Sequence, residues 1–160
     1  MLFLTLMSLN ITAQEELTEA QKVEFQNRVK QKVDEFQSSL SNIVNNQLKH
    51  EIRKEEVTKL LKLFMGEGGP YDYYDEEADA RIHSTGVKMQ TSSVYKTNSQ
   101  SQKLKNYIYK LYNPDTRKST LPYTKIIIES VSAVRVDNIE KVGDHYECVA
   151  YFSQKFIGYR

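Results

Sequence analysis

Three histidines, one cysteine and one dense acidic run are the residues of this 160-residue chain whose types suit chemistry. The run Tyr71-Asp-Tyr-Tyr-Asp-Glu-Glu-Ala-Asp79 sets Asp72, Asp75, Glu76, Glu77 and Asp79 among Tyr71, Tyr73 and Tyr74. Clustered carboxylates suit a hard cation, which needs several oxygen ligands at fixed spacing. The spacing misses the EF-hand pattern and no glycine lies among the acids, so a solvated acidic loop is expected and no metal is assigned. His83, in Arg81-Ile-His-Ser84, is the histidine expected to approach a pocket mouth, together with Tyr73 or Tyr74. His50 sits in the charged step Lys49-His-Glu51 and His145 beside Gly143-Asp144, and both read as solvated. A lone imidazole without a partner carries no catalytic assignment. As the only cysteine, Cys148 excludes an internal disulfide and a multi-cysteine zinc centre.

Proton transfer on a strand needs an ionisable group on the inward face. From Tyr123 onward, Ile126, Ile128, Ser130, Ser132, Val134 and Val136 fall on one face at period two. Lys125, Glu129 and Arg135 fall on the other. After a turn at Val142-Gly-Asp144, Tyr146, Cys148, Ala150, Phe152, Gln154 and Phe156 repeat the apolar face. His145, Glu147, Val149, Tyr151, Ser153 and Lys155 occupy its reverse. These are two long antiparallel strands joined near Gly143, with the even-numbered face indoors. Its strongly polar members, Ser130, Ser132 and Gln154, do not titrate near neutrality, so no catalytic residue and no cofactor are assigned. Cys148, placed inward, acts as a small apolar side chain.

The elements that must position this hairpin come earlier. Thr18-Glu-Ala-Gln21 has capping-box spacing. Phe25, Val29, Val33, Phe36, Leu40, Ile43 and Val44 then recur at steps of three and four, which predicts a long helix. Val29 to Ile43 also fits a heptad seam, but Gln47 ends it, so packing against a sheet is the preferred reading. Val57, Leu60, Leu61 and Phe64 predict a second, short helix, ended by Gly66, Gly68, Gly69 and Pro70. Residues 66–81 read as loop, Val87–Tyr95 as a short strand and Ser99–Gln102 as a polar connection. Leu104, Tyr107, Ile108 and Leu111 give one face of a third helix that stops at Asn113-Pro114. Lys103, Lys105, Lys110, Arg117 and Lys118 make a local basic strip there, read as a solvated face. The formal net charge of +1 removes the case for a nucleic-acid binder, which usually carries a basic footprint.

The front of the chain, MLFLTLMSLNITA, carries no charge, and its apolar run Met1–Leu9 falls well short of the ~20 residues that span a bilayer. Its length fits the apolar core of a signal peptide, with a small residue at Ala13 for cleavage. The positively charged start is missing, since Lys22 is the first basic residue, so residues 1–13 are expected to be a signal trimmed at its beginning. A periplasmic or secreted protein without a membrane span follows, with residues 14–160 as one α+β domain in which helices pack on a curved antiparallel sheet.

This element order, the helix Leu104-Lys-Asn-Tyr-Ile-Tyr-Lys-Leu111 between strands and the strand Tyr151-Phe-Ser-Gln-Lys-Phe156 resemble the nuclear transport factor 2-like superfamily. That cystatin-like cone is shared with ketosteroid isomerase, scytalone dehydratase and SnoaL-type cyclases, and the resemblance covers residues 18–160. It implies a pocket lined by Tyr107, Ser130, Ser132, Phe152 and Gln154. Such cones carry another long strand after the point where this chain stops, so Gly158 reads as the approach to a turn and an open edge is expected. A partner strand from another protein, a contact with a second copy, or a missing C-terminal segment holding the last strand would cover that edge. The preferred reading is a non-enzymatic exported binding or protein-interaction domain, with a small apolar ligand in the pocket. The alternatives are an isomerase, dehydratase or hydrolase with His83 or a tyrosine of residues 71–74 at the mouth, and an oligomerisation module using the Val29–Ile43 seam.

Overall fold

A capping box opens the longest element: Gln21 N donates to Thr18 Oγ1 at 3.3 Å, and Thr18 N donates to Gln21 Oε1 at 2.9 Å. Two of the donors a helix start leaves orphaned are thereby met. The computed structural model describes residues 16–76, 78–91, 100–112, 125–143 and 145–159. Helix α1 spans Glu19–Val44, and Phe25, Val29, Val33, Phe36, Leu40, Ile43 and Val44 form its buried stripe as expected. Helix α2, His50–Leu61, returns beside it and buries Val57, Leu60 and Leu61. Arg53 ties the helix ends together, its Nε donating to Ile43 O at 2.7 Å and its Nη2 to Tyr112 O at 3.1 Å. A guanidinium there meets carbonyls that a helix C-terminus leaves without intrahelical partners.

Past a 3-10 turn at Met65–Gly68, the expected loop over residues 66–81 is partly a hairpin. Strands β1, Tyr71–Asp75, and β2, Ala80–Ser84, pair antiparallel from Tyr71 opposite Ser84 to Asp75 opposite Ala80. Their side chains are mostly exposed or half-buried, so the ladder shows no apolar alternation for a sequence reading to find. Gly86, at φ +86°, lets the chain pass Gly69: a Cβ there would lie 2.7 Å from the Gly69 carbonyl carbon. Strand β3, Lys88–Thr91, pairs with β4, Gln100–Lys103. The stretch expected as a polar connection therefore lies partly within a strand. Helix α3, Leu104–Tyr112, follows directly and buries Leu104, Ile108, Leu111 and Tyr112. Asn113-Pro114, Arg117 and Lys118 lie outside the described residues, as do residues 1–13.

The C-terminal hairpin forms, with one revision. Each expected long strand is two: β5, Lys125–Ser130, and β6, Arg135–Val142, on the way out, then β7, His145–Tyr151, and β8, Gln154–Tyr159, on the way back. β6 pairs with β7 around the turn after Val142, where Gly143 takes φ +58°, and β5 pairs with β8. Ser130 faces Gln154 while Arg135 faces Tyr151, so two extra residues are accommodated on the outgoing side. A second irregularity follows Asp137, which faces Val149, whereas Glu140 faces Glu147. Asn138, at φ +52°, is in this bulge, and the one added residue brings Ile139 to the core side.

Two apolar clusters meet along α1. One joins Phe36, Leu40, Ile43 and Val44 to α2, Phe64 and α3, and the other joins Phe25, Val29 and Val33 to Cys148 and Ala150. Phe152 packs against both. The heptad-like seam is therefore core: Val29, Val33 and Ile43 are each 0% exposed. The chain is a mixed α+β structure with a long N-terminal helix. Among the described residues its strands make four two-stranded antiparallel ladders in place of one curved sheet, with no closed barrel.

Candidate binding groove at the ribbon break

Where β5–β8 hands over to β6–β7, the backbone of Ser153 holds the two halves together. Val131 N donates to Ser153 O at 2.9 Å, and Ser153 N donates to Ser132 Oγ at 2.9 Å. The mismatch opens a groove of about 590 Å³ lined by Ser132, Ala133, Arg135, Ala150, Tyr151, Phe152 and Ser153. Phe152 also meets Phe36 edge-on, with ring centroids 6.4 Å apart. Arg135 rests over the Tyr151 ring, Cζ 4.6 Å from its centroid, and its Nε donates to Asp137 Oδ2 at 3.0 Å. Stacking and the ion pair together fix the guanidinium plane.

Of the residues expected to line a pocket, Ser132 and Phe152 do line this groove. Ser130 and Ser132 are exposed, in contrast to the inward placement their phase implied, because the strand ends at Ser130. Phe156, also expected indoors, is 44% exposed. Tyr107 is half-buried against the α1–α2–α3 cluster, where desolvation raises its hydroxyl pKa. Gln154 is half-buried, and its Nε2, like that of the buried Gln37, has no hydrogen-bond partner in the protein. Arg135, Tyr151 and Ser153 are lining residues that the phase argument assigned to the outside. The cluster of small polar residues Ser130-Val-Ser132 amid Ile and Val was the one signal for a break there.

The ionisable candidates lie elsewhere. His83 Nδ1 sits 2.6 Å from Asp72 Oδ1, with Arg81 3.7 Å from the other carboxylate oxygen, all on the exposed β1–β2 hairpin. Tyr74 OH donates to Asp79, which together with burial and Glu76 raises the phenol pKa. His50 is exposed, as expected, but it starts α2, and its ring lies 5.2 Å from that of Tyr112. His145 is half-buried, not exposed, with Nε2 3.2 Å from Glu147 Oε1, and Glu129 is exposed. Burial and the nearby Glu147 push the Cys148 thiol pKa up, which keeps it protonated and unreactive. Among the described residues no three His, Cys, Asp or Glu side chains are placed to hold a metal, and no helix is long and apolar enough to cross a membrane.

No protein-family model, curated protein or solved structure matches the chain.

Proposed function

We propose that this chain is an exported, non-enzymatic binding or protein-interaction domain of the nuclear transport factor 2-like type. The observation that carries the binding reading is the make-up of the groove: apolar Ala150 and Phe152 beside Ser132, Ser153, Tyr151 and Arg135, with neither carboxylate nor imidazole among the described residues of its lining. A surface of this kind orients a guest through a few polar groups and a hydrophobic body, and it offers no proton acceptor near neutral pH. The histidines of the hairpins are engaged with Asp72 and Glu147 away from it. The element order of long helix, short helix, strands, helix and hairpin supports the cone-type assignment, and the apolar run at residues 1–9 supports export to the periplasm or beyond. Tyr151, Phe156 and Tyr159 are exposed along β7 and β8 and give a protein partner or second copy an aromatic surface to meet.

The test is to incubate the full chain with a panel of small amphiphiles and follow both partners by NMR. Binding is expected to be saturable, with every bound compound recovered chemically unchanged. Conversion of a bound compound, lost in His83→Ala or His145→Ala, would overturn the reading in favour of an isomerase, dehydratase or hydrolase.

A further inference from the structure

We propose that the exposed face of β3–β4, with the start of α3, is a cationic docking surface for the acidic β1–β2 hairpin of a second copy of this chain. The inference is independent of the groove, since none of its residues lines that site.

The sequence separates its charges into two adjoining blocks. Residues 63–80 carry Glu67, Asp72, Asp75, Glu76, Glu77 and Asp79 and no basic residue. Residues 81–114 carry Arg81, Lys88, Lys96, Lys103, Lys105 and Lys110 and no acid. A near-neutral chain therefore holds two opposed local fields. The acidic block runs through β1 to the start of β2, and the basic block continues through β3, β4 and α3.

On the basic side the lysines repel one another and are not neutralised. Lys88 lies directly opposite Lys103 across the ladder and Gln90 opposite Ser101, so these four exposed residues share one face, while Met89 packs on the core from the other. Like charges set opposite one another weaken a ladder. Lys105 stands in the first turn of α3, where the helix dipole disfavours a cation and no acidic residue offsets it. Among the described residues Lys88, Lys103 and Lys105 meet no carboxylate. Carboxylates brought to this face relieve both repulsions.

On the acidic side Asp72 is held by His83 and Arg81, but Glu67, Glu76 and Asp79 are exposed and meet no basic group among the described residues. Asp79 accepts from the neutral Tyr74 hydroxyl, which leaves its charge uncompensated. Tyr73 and Tyr74 stand exposed among these carboxylates, and Tyr109 stands exposed on α3 one turn from Lys105. Tyrosine rings attract ammonium groups and are enriched where proteins meet. The complement of the lysine face is thus carried by the chain itself, with as many acids in one block as bases in the other, and a second copy supplies it.

The experiment measures the mass of the full chain by sedimentation equilibrium at about 0.01 M salt, where charges act over ~30 Å, and at about 1 M, where they act over ~3 Å. The mass is expected to rise with protein concentration at low salt and to return to that of a single chain at high salt. Lys88→Glu with Lys103→Glu should weaken self-association by about tenfold or more. Glu76→Lys with Asp79→Asn should do the same, asparagine being suited to the φ of +47° at that position. Mixed together, the two double variants should associate, because each keeps the patch that the other has lost, a rescue that misfolded variants would not give. A single-chain mass at every concentration in low salt, association indifferent to salt, or double variants that stay apart on mixing would each overturn the inference. Capture of anionic vesicles or of a nucleic acid by a chain that does not self-associate would overturn it in favour of that partner.

Discussion

At the scale of the residue, the most consequential buried charge is structural. Glu56, 8% exposed, accepts from Ser39 Oγ at 2.9 Å and from Lys59 Nζ at 2.7 Å, joining α2 to α1. Desolvation alone would raise its pKa, but the hydrogen bonds from Lys59 and Ser39, the Lys59 charge and a bond from Asn42 outweigh it and hold the carboxyl below its ordinary 4.5. A carboxyl depressed in the folded state contributes stability above its unfolded value and loses it as pH falls through the folded one. Glu56→Gln should therefore cost about 1–3 kcal/mol at pH 7, the range for disturbing a buried charged hydrogen-bond network. In urea titrations that gap should narrow as pH is lowered below 4.5. A gap of the same size across the acid limb would show that the carboxylate's charge is not what matters. Leaving the carboxylate in place but removing its hydroxyl partner, as in Ser39→Ala, tests a separate part of the same network.

At the scale of the element, what the sequence showed depends on whether an apolar period survives the local geometry. α1 was legible because Phe25 to Val44 keep one stripe and Thr18-Gln21 marks its start. The β1–β2 hairpin was hidden because Asp72 meets His83 and Tyr74 meets Arg81 across it, pairs that favour a ladder without leaving an apolar face. The ribbon break was hidden for a different reason. Two added residues restore the alternation they interrupt, so Val134 and Val136 stay on the core side and periodicity reads one strand through the gap. The groove was invisible with it, because Arg135, Tyr151 and Ser153 line it at the break although the alternation assigns them to the outer face. One added residue has the opposite consequence, and the bulge at Asn138 carries Ile139 onto the core side. Asn tolerates the left-handed conformation at φ +52° and glycine adopts it freely, whereas a β-branched side chain resists it. Asn138→Gly should thus change stability by only a few tenths of a kcal/mol, and Asn138→Val should cost about 1–2 kcal/mol, measured by chemical unfolding. Equal costs would show that the side chain of Asn138, not its backbone angle, sustains the bulge.

At the scale of the whole molecule, α1 is the part that makes one structure of several small ladders. A two-stranded ladder is marginal alone in water, so each depends on the apolar surface it covers or on what it is joined to. β6–β7 covers Phe25, Val29 and Val33, whereas α2 and α3 cover Phe36, Leu40 and Ile43 of the same helix, and Phe152 touches both groups. If the helix and Phe152 couple the two clusters, damage at one end must be felt at the other. Leu40, 3% exposed, lies in the α2–α3 cluster, away from β6–β7. Leu40→Ala should lower stability by about 2–5 kcal/mol, the cost of a cavity in a packed core. With coupling, the slowest-exchanging amides of β6 and β7 lose protection by the same free energy, because they open only when the molecule unfolds. The mass in solution should stay unchanged, since the stripe that could zip helices between subunits is buried within the chain. Full protection retained in β6–β7 would reveal two independent folding units. A drop in mass on substitution would return the Val29–Ile43 seam to the role of a subunit contact.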